Sequence, residues 1–309
     1  MVYQYGFGAF ETLCRTIPSY PHCNLFVRQL LRDDPSVLSG IDLSTAGVGV
    51  NPECAIPKEG NGKLGNIGNI IACGLSVFVV LFLMLRVTRR KAAVGLIEFR
   101  SFLAIYLLSC IFQLLDTGSV FRQGSNAVVV FSAVHLGLVA ALGWALLCNG
   151  FVSLQWVEDG TISSMVPFWA GVVAFFIATL YISLDTALGW TSAFTTGNPP
   201  VALKNIPLFV LTTIWPGAAI LIYFIIMMVV ILQILREKRP LLFFIGSFIV
   251  FVVSQVIYYE VSKYICKGSD AKVDGSFVAT VLETASVFLL FLGWKSITED
   301  SWDEPWHGN

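Results

Sequence analysis

Seven long apolar runs, each close to the length needed to cross a bilayer, constrain this chain more than any other feature. They are expected at about 67–85, 97–115, 127–150, 166–188, 208–235, 241–259 and 277–294. The runs are continuous and do not alternate, which fits helices and not the dyad pattern of a membrane barrel. The sequence therefore predicts an all-α integral membrane protein. Its seven-transmembrane-helix bundle fills 66–295, a small loop-rich lumenal N-terminal cap with cysteines occupies 1–65, and an acidic cytosolic tail occupies 296–309. Composition agrees: 13% of residues are charged, against roughly a quarter in soluble domains. A net charge of −1 gives no footing for a nucleic-acid partner. The first thirty residues lack a basic start, an apolar core and a small-residue cleavage site, so targeting is expected to fall to the first span.

Basic residues set the expected orientation. Arg86, Arg89, Arg90 and Lys91 follow the first run, and Arg236, Lys238 and Arg239 separate the fifth from the sixth. Both clusters fall on one side of a seven-span chain, the side expected to be cytosolic, with the N-terminus lumenal and the C-terminus cytosolic. Cys14, Cys23, Cys54 and Cys266 then share the oxidising side, while Cys73, Cys110 and Cys148 lie within spans. Four cysteines allow three pairings. The favoured one closes a local Cys14–Cys23 loop and ties Cys54 of the cap to Cys266 of the last lumenal loop. Within the cap, 24–32 (NLFVRQLLR) reads as a short amphipathic helix stopped by Asp33-Asp34-Pro35. Pro216-Gly217 should kink or tilt the long fifth run.

The third run is the expected centre of the bundle. Ala133, Gly137, Ala141 and Ala145 recur every four positions, a stripe that lets another helix approach closely. Packing inside this bundle is favoured over a surface for another protein. Ionisable groups at membrane depth are the natural functional candidates. His135 in the third run and Glu283 in the seventh lie at equal depth, ~10–12 Å at 1.5 Å per residue, which allows them to pair. Asp116, Asp185 and Glu260 near run ends read as hydrated boundary residues, and Arg100 as a snorkelling one.

Enzyme signatures are missing. The three histidines, His22, His135 and His307, fall in three separate compartments and do not converge on one metal. There is no Gly-x-Ser-x-Gly elbow, and the seventh run has no mid-membrane lysine for a retinal Schiff base. No cofactor is expected. A receptor would carry an Asp-Arg-Tyr-type motif after the third run, where Trp156-Val157-Glu158-Asp159-Gly160 stands, and an Asn-Pro-x-x-Tyr motif in the seventh. A receptor or small-molecule transporter using His135 and Glu283 remains the alternative reading. The tail reads first as a solvated, disordered end; the alternative is that Glu299-Asp300 and Asp303-Glu304, which resemble acidic export signals, are read by vesicle-coat machinery.

Several segments taken together resemble the fungal chitin synthase export chaperones. They are Cys14, Cys23 and Cys54; Val94-Gly95-Leu96-Ile97-Glu98-Phe99; Gly143-Trp144-Ala145-Leu146-Leu147; Trp156-Val157-Glu158-Asp159-Gly160-Thr161; Ile265-Cys266-Lys267-Gly268; Asp274-Gly275; and the acidic tail. The resemblance spans nearly the whole chain. It implies a non-enzymatic endoplasmic-reticulum membrane protein that binds newly made chitin synthase, keeps it from aggregating and permits its exit, with contacts to membrane lipid and no catalytic residues. The stretch between Cys23 and Cys54 is longer than the family pattern, which touches cap structure and client choice.

Overall fold

The computed structural model describes residues 6–40, 49–50, 52–57, 64–90, 93–118, 120–194 and 200–298. Seven helices are long and apolar enough to cross a membrane: Ile67–Thr88, Leu96–Thr117, Asn126–Ser153, Ile162–Leu188, Ile206–Leu235, Arg239–Gly268 and Gly275–Ile297. They are the first to seventh spans below. No strand occurs among the described residues, only an isolated bridge between Ala9 and Lys204. The tail acids Glu299, Asp300, Asp303 and Glu304 lie outside the described residues.

Local chemistry explains where the spans begin. Side-chain oxygens of Asn66, Ser125, Asn205 and Asp274 accept from backbone N–H groups in the first turns of the first, third, fifth and seventh spans. Gly95 precedes the second span with φ +67°, a left-handed conformation that glycine adopts without a Cβ penalty. Pro216 in the fifth span is accommodated by a π-helical turn at Val210–Ile214. Such a turn absorbs the register that a missing N–H would break. Further π turns lie at Val230–Leu235 in the fifth span and Ile257–Val261 in the sixth.

The spans form a ring with one helix outside it. The first packs on the second, the second on the third, the third on the fifth, the sixth on the seventh and the seventh on the first. The fifth and sixth meet only sparsely in backbone terms. Phe224 stacked on Phe248 at 4.2 Å and Tyr223 beside Phe244 close that seam. The fourth span lies against the third from outside.

The third span is the most buried, and Ala133, Gly137, Ala141 and Ala145 all turn inward. A Cβ on Gly137 would come within 2.9 Å of the Phe176 ring and 3.1 Å of the Phe176 carbonyl. The stripe is thus consumed by packing within the molecule and offers no face to a partner helix.

The N-terminal segment folds into two helices, α1 (Glu11–Thr16) and α2 (His22–Asp33), the second containing the amphipathic stretch read from the sequence. α2 packs against the third and fourth spans. Phe10, Ile17, Leu25, Phe26 and Leu30 share one apolar cluster with Val129, Ala133, Leu136, Ile182 and Leu208. Disulfides join Cys14 to Cys23 and Cys54 to Cys266, and Glu53 pairs with Lys267 at 3.2 Å beside the second.

Candidate functional site

The ring encloses a cavity of about 430 Å³. Its wall is built from the second, third, fifth, sixth and seventh spans, and Tyr20-Pro21-His22 at the start of α2 covers one end. The polarity of the wall changes along its length. Near the cap it carries Gln113, Thr117, His135, Thr212, Gln255, Thr280 and Glu283. Toward the opposite end it carries Phe102, Leu142, Leu146, Tyr223, Phe244 and Leu290.

Sequence reasoning placed His135 and Glu283 together, and the structure separates them. His135 Nδ1 contacts Asp116 Oδ2 at 2.8 Å. Glu283 Oε1 accepts from Gln255 Nε2 at 2.8 Å. Neighbour choice explains the difference: the third span packs on the second, which brings Asp116, and the seventh on the sixth, which brings Gln255. Equal depth fixed neither azimuth. Asp116 and Asp185 are fully buried rather than hydrated boundary residues. Asp185 accepts from the Thr191 N–H at 2.6 Å and the Thr191 hydroxyl at 2.9 Å. Glu260 and Arg100 are exposed.

Around these pairs the buried polar groups bond between helices. Asn24 of α2 donates to the Ser132 hydroxyl at 2.8 Å. Gln113 donates to Thr280 at 2.9 Å, Thr280 donates to Asn69 Oδ1 at 3.1 Å, and Ser76 bonds Thr284 at 2.6 Å. The Thr212 hydroxyl already donates to the Leu208 carbonyl at 2.7 Å. His22 Nε2 must therefore be the donor in its own 2.7 Å contact with Thr212 Oγ1, which leaves Nδ1 bare, buried and unpartnered. Burial, with a smaller contribution from His135, pushes the His22 imidazole down to about 3. Among the described residues no group of three or more His, Cys, Asp or Glu side chains is placed to hold a metal ion.

A second constellation lies at the far end of the bundle and was not anticipated. Glu98, fully buried in the first turn of the second span, accepts from Gly160 N at 2.8 Å and Ser164 Oγ at 2.6 Å. In return Asp159 Oδ2 accepts from Gly95 N at 2.9 Å. Each acid therefore accepts a backbone N–H from the segment that leads into the other span. Trp294 Nε1 adds the seventh span by donating to the Val94 carbonyl at 3.1 Å. The segments Val94–Phe99 and Trp156–Thr161, separate in the sequence, form a single clasp. The available signal was that both fall on the same membrane face in a seven-span topology.

These features define an all-α, seven-span membrane protein with a disulfide-tied N-terminal segment and a polar-to-apolar internal cavity. A family model described as "Chitin synthase export chaperone" matches residues 6–307. Proteins named chitin synthase export chaperone match over 96% of this chain: from Aspergillus fumigatus at 30% identity (84% of that protein), Phaeosphaeria nodorum at 29% (83%) and Kluyveromyces lactis at 25% (93%). The chain belongs to the chitin synthase export chaperone family. No solved structure matches it. Membership does not favour the receptor or transporter alternative.

Proposed function

We propose that this protein is a non-enzymatic membrane chaperone that binds newly made chitin synthase in the endoplasmic reticulum and permits its exit towards the cell surface, supporting cell-wall chitin synthesis. The family match across residues 6–307 carries this reading. Orientation with the N-terminus lumenal and the C-terminus cytosolic is supported by the disulfide cysteines at one end and the basic clusters around Arg86 and Arg236 at the other. The acidic tail residues Glu299, Asp300, Asp303 and Glu304 would address vesicle-coat machinery.

The packing also says where a client helix can sit. The third-span stripe is already occupied. The fourth and sixth spans are the least buried and expose Ile177, Leu242 and Ile249, among others. A polytopic client that buries part of that surface exchanges lipid contacts for helix contacts. The test is the location of tagged chitin synthase in fungal cells with and without this protein. Retention in the endoplasmic reticulum on deletion, with other membrane cargo moving normally, is the expected result. Normal synthase delivery in the absence of a compensating paralogue would refute the reading.

A further inference from the structure

We infer that the internal cavity is a lipid site for an amphiphile with a hydroxyl head and an apolar body of sterol size. This inference stands apart from the chaperone reading. Five observations carry it. The volume, about 430 Å³, falls in the ~300–1,000 Å³ range of small-molecule sites. The wall is graded: Glu283 and Gln255 lie at the cap end and Tyr223 and Phe244 at the other, so one ligand orientation satisfies both. Glu283 is only partly buried and takes a single hydrogen bond, from Gln255. Together the carboxyl and the amide offer donors and acceptors, the complement of a hydroxyl. Among the described residues no lysine or arginine lines the cavity, so an acidic phospholipid headgroup meets no counter-charge from them.

The fifth observation is access. The fifth and sixth spans meet sparsely, and their seam is closed by aromatic side chains rather than close backbone packing. Gly217, on the fifth span, lines the cavity, and a Cβ added to it would meet nothing within 4 Å. Two π turns in the fifth span and one in the sixth lie along the same two helices. A lipid entering from the bilayer would pass between Phe224 and Phe248, whose rings side-chain rotation can part.

The test uses the full chain in lipid nanodiscs with two photoactivatable probes, a sterol and a diacylglycerol, each with a free hydroxyl. Labelled peptides are mapped by mass spectrometry. The expected result is labelling of cavity-wall residues on the fifth, sixth and seventh spans, competed by unlabelled probe. Gly217→Leu, which fills the open space, should lower that labelling by roughly tenfold, comparable to a modest overpacking penalty. Glu283→Leu should lower it as well, by removing the partner of the head. Phe78→Ala, on the exposed surface of the first span, should leave it unchanged. Sterol labelling supports the site as stated. Diacylglycerol labelling in its place supports the hydroxyl-headed site and reassigns its source. Labelling confined to outward-facing residues, or equal cavity labelling in wild type and in Gly217→Leu and Glu283→Leu variants that melt like it, overturns the inference.

Discussion

Replacing Glu98 tests whether the clasp between the second and fourth spans holds the bundle. The carboxylate is fully buried and accepts two hydrogen bonds, from Gly160 N and Ser164 Oγ. Charge-assisted bonds of this kind contribute about 1.5–3 kcal/mol each, and without Glu98 the buried Ser164 hydroxyl keeps only the longer contact to the Thr161 carbonyl at 3.2 Å. Glu98→Ala should therefore destabilise by about 3–5 kcal/mol. At roughly 2–4 °C per kcal/mol, the apparent melting temperature should fall by about 10 °C. Both bonds land on Oε1, so Glu98→Gln can keep both with its amide oxygen, gives up only their charge assistance and should lose about half as much. The assay is thermal melting of detergent-solubilised protein, monitored by the remaining monodisperse fraction. A cycle with Ser164→Ala should show coupling of ~1 kcal/mol or more, while exposed Arg100→Ala stays within ~0.5 kcal/mol of wild type. If Glu98→Ala melts with Arg100→Ala, or the cycle with Ser164 is additive, the clasp does not carry the load argued for it.

Further outcomes follow from the other contacts. Asp116→Asn and His135→Ala should be strongly non-additive in melting, since breaking a buried pair costs about 3–5 kcal/mol, whereas Glu283→Gln and His135→Ala should add. Cys54→Ser and Cys266→Ser should each cost about 2–5 kcal/mol, with the double variant no worse than either, and non-reducing peptide mapping should find the 54–266 linkage. Gly137→Leu should lose about 1–3 kcal/mol by forcing the third and fourth spans apart, read as a lower melting temperature.

His22 gives a pH dependence with a definite sign. Its folded-state pKa lies near 3, below its ordinary value of 6.5, because burial disfavours the cation. The unfolded chain binds the proton more readily between those values. Stability from this residue is therefore complete above pH 6.5 and is lost as pH falls towards 3, amounting to a few kcal/mol over the window. His22→Gln should flatten that acid limb of the melting curve; an unchanged limb would refute the assignment.

What was legible in the sequence was the axial coordinate. Hydropathy located all seven spans, because burying a polar backbone in lipid leaves helices as the economical solution. Side-of-membrane reasoning arrived at the same two disulfides that the structure contains. What was not legible was azimuth. His135 and Glu283 do sit on one cavity wall, yet each bonds a neighbour on an adjacent helix, and hydropathy is silent on which helices are adjacent. The same gap hid the packing of α2, read from the sequence only as a short amphipathic helix over 24–32, whose His22, Asn24 and Gln29 are buried. Asn24 and His22 spend their hydrogen bonds on Ser132 and Thr212, and so turn an amphipathic surface helix into the cover of the cavity. That cover explains why the polar end of the cavity can exist. A partner lowers the cost of burying a polar group, and α2 supplies partners to Ser132 of the third span and Thr212 of the fifth.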